Sequence, residues 1–246
     1  MQIDWLAGRK PVQEHLRFSP ERIDSVLIKR NPSAELGRII QLCRENNIRY
    51  RLASIEELNR MFSNHQGVAA RLKSVQTVDP ETIFARSRLA SLPVVLGLDQ
   101  VQDPGNLGTL ARTAAALDAM GIIIPKDRSA LPGAGAIKSS AGALTRISLA
   151  RVTNLARTLD QAMDSGFWIY GAALDRGSDV FKCDFSFPCV LVLGGEEKGI
   201  RPNVLKRCHE KIHIPMPGGF QSLNVAQAGA VILSQMAGRL ALQDHG

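Results

Sequence analysis

Three short stretches near the end of this chain carry residue types suited to chemistry. They are Leu193-Gly194-Gly195-Glu196, Ile214-Pro215-Met216-Pro217-Gly218-Gly219 and Ser222-Leu223-Asn224-Val225. Glycines at the ends of apolar runs let main-chain N–H and C=O groups come close to a small molecule. A polar Ser-Leu-Asn step then opens a helix, an arrangement suited to holding a cofactor by its backbone. A second constellation, Asp103-Pro104-Gly105-Asn106-Leu107-Gly108 with Arg112, joins a strand end to a helix start. Open α/β sheets bind ligands in the crevice outside strand C-termini. Arg112 lies roughly 200° around the helix from Leu110, so it projects away from the apolar stripe. Arg is suited to holding phosphate. Two plainer readings stand beside these: Asn106 as a helix N-cap and Arg112 as a solvated side chain.

Several reaction classes find no support. Gly133-Ala134-Gly135 does not continue to a third glycine, and no G-x-x-x-x-G-K-[ST] run occurs, so neither dinucleotide nor P-loop chemistry is indicated. There is no G-x-S-x-G elbow, and Ser222 has no His placed beside it as a base. Cys208-His209 with His213 hints at a metal, but no second ligand cluster accompanies them, so no metal is expected. The four cysteines form no C-x-x-C pair and nothing at the N-terminus resembles a signal peptide, which suggests reduced thiols in the cytoplasm. No apolar run approaches the ~18 residues of a membrane span, so no membrane partner is expected.

To position these groups, residues 93–246 must alternate strand and helix. Strands are expected at 94–98, 121–124, 147–152, 167–173, 189–194 and 211–214. Helices are expected at 106–120, 135–143, 154–165, 202–208 and 224–242. This alternation predicts an α/β fold with a mostly parallel sheet covered on both faces. Residues 1–74 read as a separate small α/β domain. It has a helix starting at Pro11, strands at 25–28, 49–52 and 67–72, and a helix at 34–46. Another helix is capped by Ser54, with Glu57 completing a capping box. Residues 75–92 lose periodicity and read as a linker with room for a short helix.

Charge separates the two parts. Residues 1–74 hold 13 basic and 8 acidic side chains, against 17 and 15 in 75–246, so the positive excess is concentrated at the front. Arg9, Lys10, Lys29, Arg30, Arg38, Arg44, Arg49 and Arg51 lead it. Such a surface attracts polyanions, RNA or DNA first among them, although a merely solvated face has the same composition.

Taken together, Asn106-x-Gly108-x-x-x-Arg112, Leu193-Gly194-Gly195-Glu196-x-x-Gly199 and Ile214-Pro215-Met216-x-Gly218-x-x-x-Ser222-Leu223-Asn224-Val225 resemble the three ordered signatures of the SpoU (TrmH) RNA 2′-O-ribose methyltransferases. The resemblance covers about 93–240. Residues 5–72, ending in Asn64-His65-Gln66-Gly67-Val68, are similar to the ribosomal-protein-like RNA-binding domain of the RlmB-type branch. The resemblance implies S-adenosylmethionine as cofactor, a C-terminal trefoil knot and a homodimer. It also implies that the main chain near Gly194, Ile214 and Leu223 holds the adenosine, with Gly195, Met216, Ser222 and Asn224 lining the pocket. Glu197 and Lys198 stand where relatives commonly carry a small or acidic residue, which touches local cofactor affinity at most.

The implied reaction is methylation of a ribose 2′-oxygen in ribosomal RNA, with a guanosine of 23S rRNA as the expected target. A tRNA methyltransferase and a non-catalytic RNA-binding or ribosome-assembly protein are the alternatives. The resemblance puts Arg112 beside the reacting oxygen, with Asn106, Glu196, Ser222 and Asn224 around it. Guanidinium stays protonated, so Arg112 is suited to phosphate holding and oxyanion stabilisation. Water or an unusually deprotonated Arg112 remains open as the proton acceptor. Glu196 could equally brace the glycine turn.

Overall fold

The computed structural model describes residues 5–72, 75–119, 121–174, 177–196 and 198–243. Glu197, named above, and Met120, the last residue of the helix expected at 106–120, lie outside the described residues. The chain forms two compact units, residues 1–74 and 75–246.

In the first unit, β1 (Trp5–Ala7), β2 (Ile23–Lys29), β3 (Arg49–Ala53) and β4 (Val68–Leu72) form a sheet of order β1-β4-β2-β3. β2 and β3 are parallel, while β4 runs antiparallel to β1 and β2. Strand alternation sends Val26 and Ile28 to one face, where Val12 and Leu16 of α1 (Arg9–Phe18) and Leu36, Ile39 and Cys43 of α2 (Ala34–Glu45) cover them. Leu27 goes to the other face and meets Leu58 of α3 (Ile55–Met61). Ser54 caps α3 by accepting the Glu57 N–H at 3.2 Å. The Glu57 carboxylate, however, pairs with Arg51 across the β3–α3 turn, because a guanidinium fork is within reach. On β3, Arg49 and Arg51 are exposed and guard a sheet edge.

Among the described residues the second unit has a sheet of seven strands, all paired in parallel. They are β5 (Val94–Asp99), β6 (Gly121–Pro125), β7 (Ser148–Val152), β8 (Trp168–Ala172), β9 (Ser178–Asp179), β10 (Cys189–Gly194) and β11 (Glu210–His213). Their order is β7-β6-β5-β10-β8-β11-β9. Runs such as Val94-Val95-Leu96 are buried on both sides, as unbroken apolar strands must be. One face packs on α5 (Pro104–Ala116), α6 (Ala134–Ser139) and α9 (Val225–Gln243). The other packs on α4 (Pro80–Ser87), α7 (Leu155–Asp164) and α8 (Pro202–Leu205).

Several details differ from the sequence reading. Residues 75–92, read as a linker with room for a short helix, do hold one, α4, but it belongs to the core, with Ile83 and Phe84 buried against Val95 and Ile123. β1 and β9, of three and two residues, are too short to show alternation and are absent from the sequence reading. α5 starts two residues before Asn106, with Asp103 as its cap, and ends at Ala116. Finally, α9 is long and apolar enough by composition to cross a membrane, contrary to the expectation that no such run exists. Its Val225, Gly229, Ile232, Leu233 and Met236 instead pack into the unit's core.

Candidate functional site

β5 and β10 are neighbours whose ends align, Gly194 lying opposite Asp99. β6 continues the sheet on one side of β5 and β10 on the other, so the chain changes direction here and a crevice opens beyond the strand ends. Gln100 leaves β5 with φ 62°, a left-handed backbone uncommon for a side chain of its size. Its carbonyl packs against Gly195, where a Cβ would collide with it. A Cβ on Gly194 would likewise collide with the backbone of Gly199 and Ile200. These two glycines are therefore required by chain folding against chain, a different reason from the ligand approach expected from sequence.

A buried ion pair ties down the far end of this turn. Asp99 is fully buried and accepts Nε of Arg201 at 2.8 Å, its Nη2 at 2.7 Å and its main-chain N–H at 2.8 Å. Gly195 N–H also donates to Asp99 O at 2.9 Å. The turn that carries Glu196 is thus fastened to β5 at both ends.

Glu196 then meets the starts of two helices. Asn106 donates from Nδ2 to Glu196 Oε1 at 3.0 Å, and Asn224 donates from Nδ2 to the same oxygen at 2.7 Å. Asn224 also reaches Asn106 Oδ1 at 3.1 Å. Both asparagines are fixed by helix starts. Asp103 Oδ2 accepts Asn106 N–H at 2.9 Å, and Asn224 Oδ1 accepts Ala226 N–H at 2.9 Å, capping α9. Glu196 and Asn224, 90 and 118 positions from Asn106 and 28 from each other, join it in one hydrogen-bonded group.

Two cavities flank this group. The narrower, about 100 Å³, is lined by Gly194, Gly195, Glu196, Ile214, Met216, Ser222 and Leu223 among others, with Leu193, Ile212 and Ile232 as apolar wall. No hydrogen bond to the main chain of Ile214 or Leu223 forms among the described residues, so donors and acceptors remain on its wall. The larger, about 610 Å³, is lined by polar side chains including Gln102, Asp103, Asn106, Arg128, Glu196 and Lys198. The cavities share Gly195, Glu196 and Val225.

Arg112 is not brought into this group. It sits six positions beyond Asn106 on α5, about 120° around the axis and about 9 Å along it. Its side chain is exposed, lines neither cavity and bonds to nothing among the described residues. Gly108 of the same motif serves packing, since a Cβ there would strike Ser139 and Ala136 of α6.

Sequence reasoning missed Asp99, Arg201, Arg128 and the capping role of Asp103. The Arg128 signal was a basic residue in the loop just after a strand; the others depend on contacts across the fold. The Cys208, His209 and His213 side chains take separate partners. Burial pushes the Cys208 thiol up to about 12. His209 Nδ1 accepts Ile169 N–H at 3.0 Å and stacks on Trp168, and His213 Nδ1 lies 3.0 Å from Gly177 O.

Known proteins are similar to this chain in sequence and in fold. The SpoU rRNA methylase family matches residues 93–234, and the RNA 2′-O ribose methyltransferase substrate-binding family matches residues 5–78. The chain is similar to the 23S rRNA (guanosine-2′-O-)-methyltransferase RlmB of Xanthomonas axonopodis pv. citri. The two are 37% identical over 238 residues, spanning 94% of this chain and 95% of that one. RlmB of Pseudomonas putida is 33% identical over 241 residues, with 94% and 95% covered. In fold, the chain is similar to the SpoU methyltransferase AviRb from Streptomyces viridochromogenes in complex with AdoMet. That likeness has a TM-score of 0.69 and 23% identity, over 99% of this chain and 91% of the other. On the family match across most of the second unit, this chain belongs to the SpoU rRNA methylase family.

Proposed function

We propose that this protein transfers a methyl group from S-adenosylmethionine to a ribose 2′-oxygen in ribosomal RNA, with a guanosine of 23S rRNA as target. The observation that carries this reading is the convergence of Asn106, Glu196 and Asn224, one from each signature, on a single carboxylate oxygen between two cavities. Similarity to the RlmB enzymes of Xanthomonas and Pseudomonas supports the choice of RNA and of base.

The residues present fit the cofactor. An adenosine needs apolar contact for its ring and main-chain partners for its edges, and the narrow cavity offers Leu193, Ile212 and Ile232 with the free main chain of Ile214 and Leu223. Gly194, Gly195, Met216 and Ser222 complete that wall, and Asn224 bonds to Glu196, which also lines it. When bound, the cofactor supplies an electrophilic methyl group. The protein's part is to hold the acceptor ribose in line and to accept hydrogen bonds from its hydroxyl. Glu196 is the carboxylate placed to do so, held in orientation by two amides.

We further propose a homodimer, in which Arg112 of one copy serves the site of the other. Its exposed position away from its own site supports that role. The insertion of β10 between β5 and β8, with the following turn packed back on Gln100, supports a trefoil knot. A ribosomal RNA substrate would place the protein in the cytoplasm.

The deciding experiment is ribose-methylation mapping of total RNA from cells with and without the gene. Loss of a mark at a 23S guanosine is expected. Loss of a tRNA mark instead points to a tRNA enzyme, and no lost mark to a non-catalytic RNA binder. Residues 1–74 are proposed as the RNA-binding part. Deleting them should abolish most RNA affinity while calorimetry still detects S-adenosylmethionine binding; unchanged RNA affinity would contradict the assignment.

A further inference from the structure

The larger polar cavity contains two cations that the fold does not use. Arg128, on the loop after β6, and Lys198, on the turn after β10, both line it and both are exposed. Neither has a hydrogen-bond or ion-pair partner among the described residues. The two carboxylates sharing the cavity, Asp103 and Glu196, form no ion pair with either cation among the described residues. Asp103 caps α5, and Glu196 is bonded by two amides. The cations are therefore left to meet an anion from outside.

The local backbone holds Arg128 in place. Its φ is 53°, and the strand-end residue Gln100 across the cavity has φ 62°. Non-glycine residues in this region persist only where the surroundings enforce them. Ala130 N–H donates to Val101 O at 2.8 Å, which fastens the Arg128 loop to the segment leaving β5. Arg128 is thus carried on a pinned loop beside Asn106 and Glu196.

The chemistry of the acceptor completes the argument, which rests on the methyl-transfer reading above. The 2′-hydroxyl of an internal ribose in RNA has a 3′-phosphodiester on the neighbouring carbon. A site that takes that hydroxyl must also accept an anion next to it. The narrow cavity is apolar and suits the methyl donor, whereas the adjoining cavity is polar and carries the unpaired cations. We infer that the larger cavity is the acceptor-nucleotide subsite and that Arg128 and Lys198 are positioning residues that grip the phosphodiesters next to the target ribose. Arg128 can engage a phosphate through two N–H groups, and Lys198 acts as a point charge.

The test uses the full chain with Arg128→Ala, Arg128→Lys and Lys198→Ala. The probes are deproteinised total RNA and ribosomal particles from cells lacking the gene. Methyl incorporation is followed against RNA concentration at several salt concentrations, and S-adenosylmethionine affinity is measured by calorimetry. Each alanine variant should raise KM for RNA several-fold with kcat and cofactor affinity little changed. Each should also lower the slope of log affinity against log salt by about 0.7–0.9, the loss of one phosphate contact. Arg128→Lys should keep the slope while recovering only part of the KM. Unchanged slope and KM in both alanine variants of an active enzyme would overturn the subsite. Weakened cofactor affinity with unchanged RNA KM would also overturn it, because the cations would then serve the methyl donor. A wild-type chain that methylates neither probe overturns the methyl-transfer reading itself, and the subsite with it.

Discussion

At the scale of single residues, the question is whether Glu196 acts by charge or by shape. Its Oε1 accepts two amide N–H groups, from Asn106 and Asn224, and so bridges the starts of α5 and α9. A brace needs only an acceptor oxygen, which a glutamine also supplies. Acceptance of the ribose hydroxyl proton needs the negative charge. Glu196→Gln should therefore keep the thermal midpoint within a degree or two while lowering single-turnover methyl transfer about 100-fold. A near-normal rate in that variant would leave Glu196 as a brace. The same scale explains Gly194 and Gly195, whose missing side chains make room for Gly199, Ile200 and Gln100.

At the scale of elements, the turn after β10 works because its far end is anchored by Arg201 to Asp99 at the end of β5. The pair is unequal, since Asp99 is fully buried and Arg201 is partly exposed. Removing the Arg201 side chain leaves the buried carboxylate with a single main-chain donor, the N–H of residue 201, and loss of such a partner costs about 3 kcal/mol. Arg201→Ala should show that loss in urea unfolding, together with weaker S-adenosylmethionine binding because the Glu196 turn is released. A variant with full cofactor affinity would mean that the Gly195 N–H bond to Asp99 O holds the turn by itself. Helix packing obeys the same close tolerances. Gly108 faces α6 and Gly229 faces Leu110, so α5 is gripped between α6 and α9 at positions where no Cβ fits.

At the scale of the whole molecule, buried thiols make stability sensitive to alkali. Burial pushes Cys43 and Cys183 up to about 11 and Cys208 to about 12, and Cys189, fully buried, further still. For Cys183 the neighbouring Glu210 carboxylate adds to burial. The folded chain keeps these protons where the unfolded chain releases them, near an ordinary thiol value of about 9. Their contribution is therefore intact below pH 9 and is lost as pH rises from 9 through 11 to 12. Urea midpoints measured from pH 8 to 10.5 should fall. A Cys43→Ala variant should flatten the fall for the first unit, where Cys43 belongs, without altering that of the second. An equal fall in both units of that variant would assign the effect to other groups. Thiol reagents at pH 8 should meet slow reaction for the same reason.

The sequence by itself determined what local patterns carry. Unbroken apolar runs made β5, β6 and β10 legible almost to the residue, because a strand covered on both faces has no polar positions to blur it. Helical spacing placed α2, α7 and α9, and the ordered signatures named the family before any contact was known. Only the tertiary structure decided what those patterns meet. It placed β10 beside β5, turned α4 from an apparent linker into core, and gave the Glu57 carboxylate to Arg51. It paired Asp99 with Arg201 across 102 positions and set Arg112 apart from Asn106, its neighbour in the motif. Periodicity reports which face of an element is buried, but carries no information on which distant element covers it. Hydrogen bonds and ion pairs depend on that second choice, so the framework was legible in the chain and the assembly of the site was not.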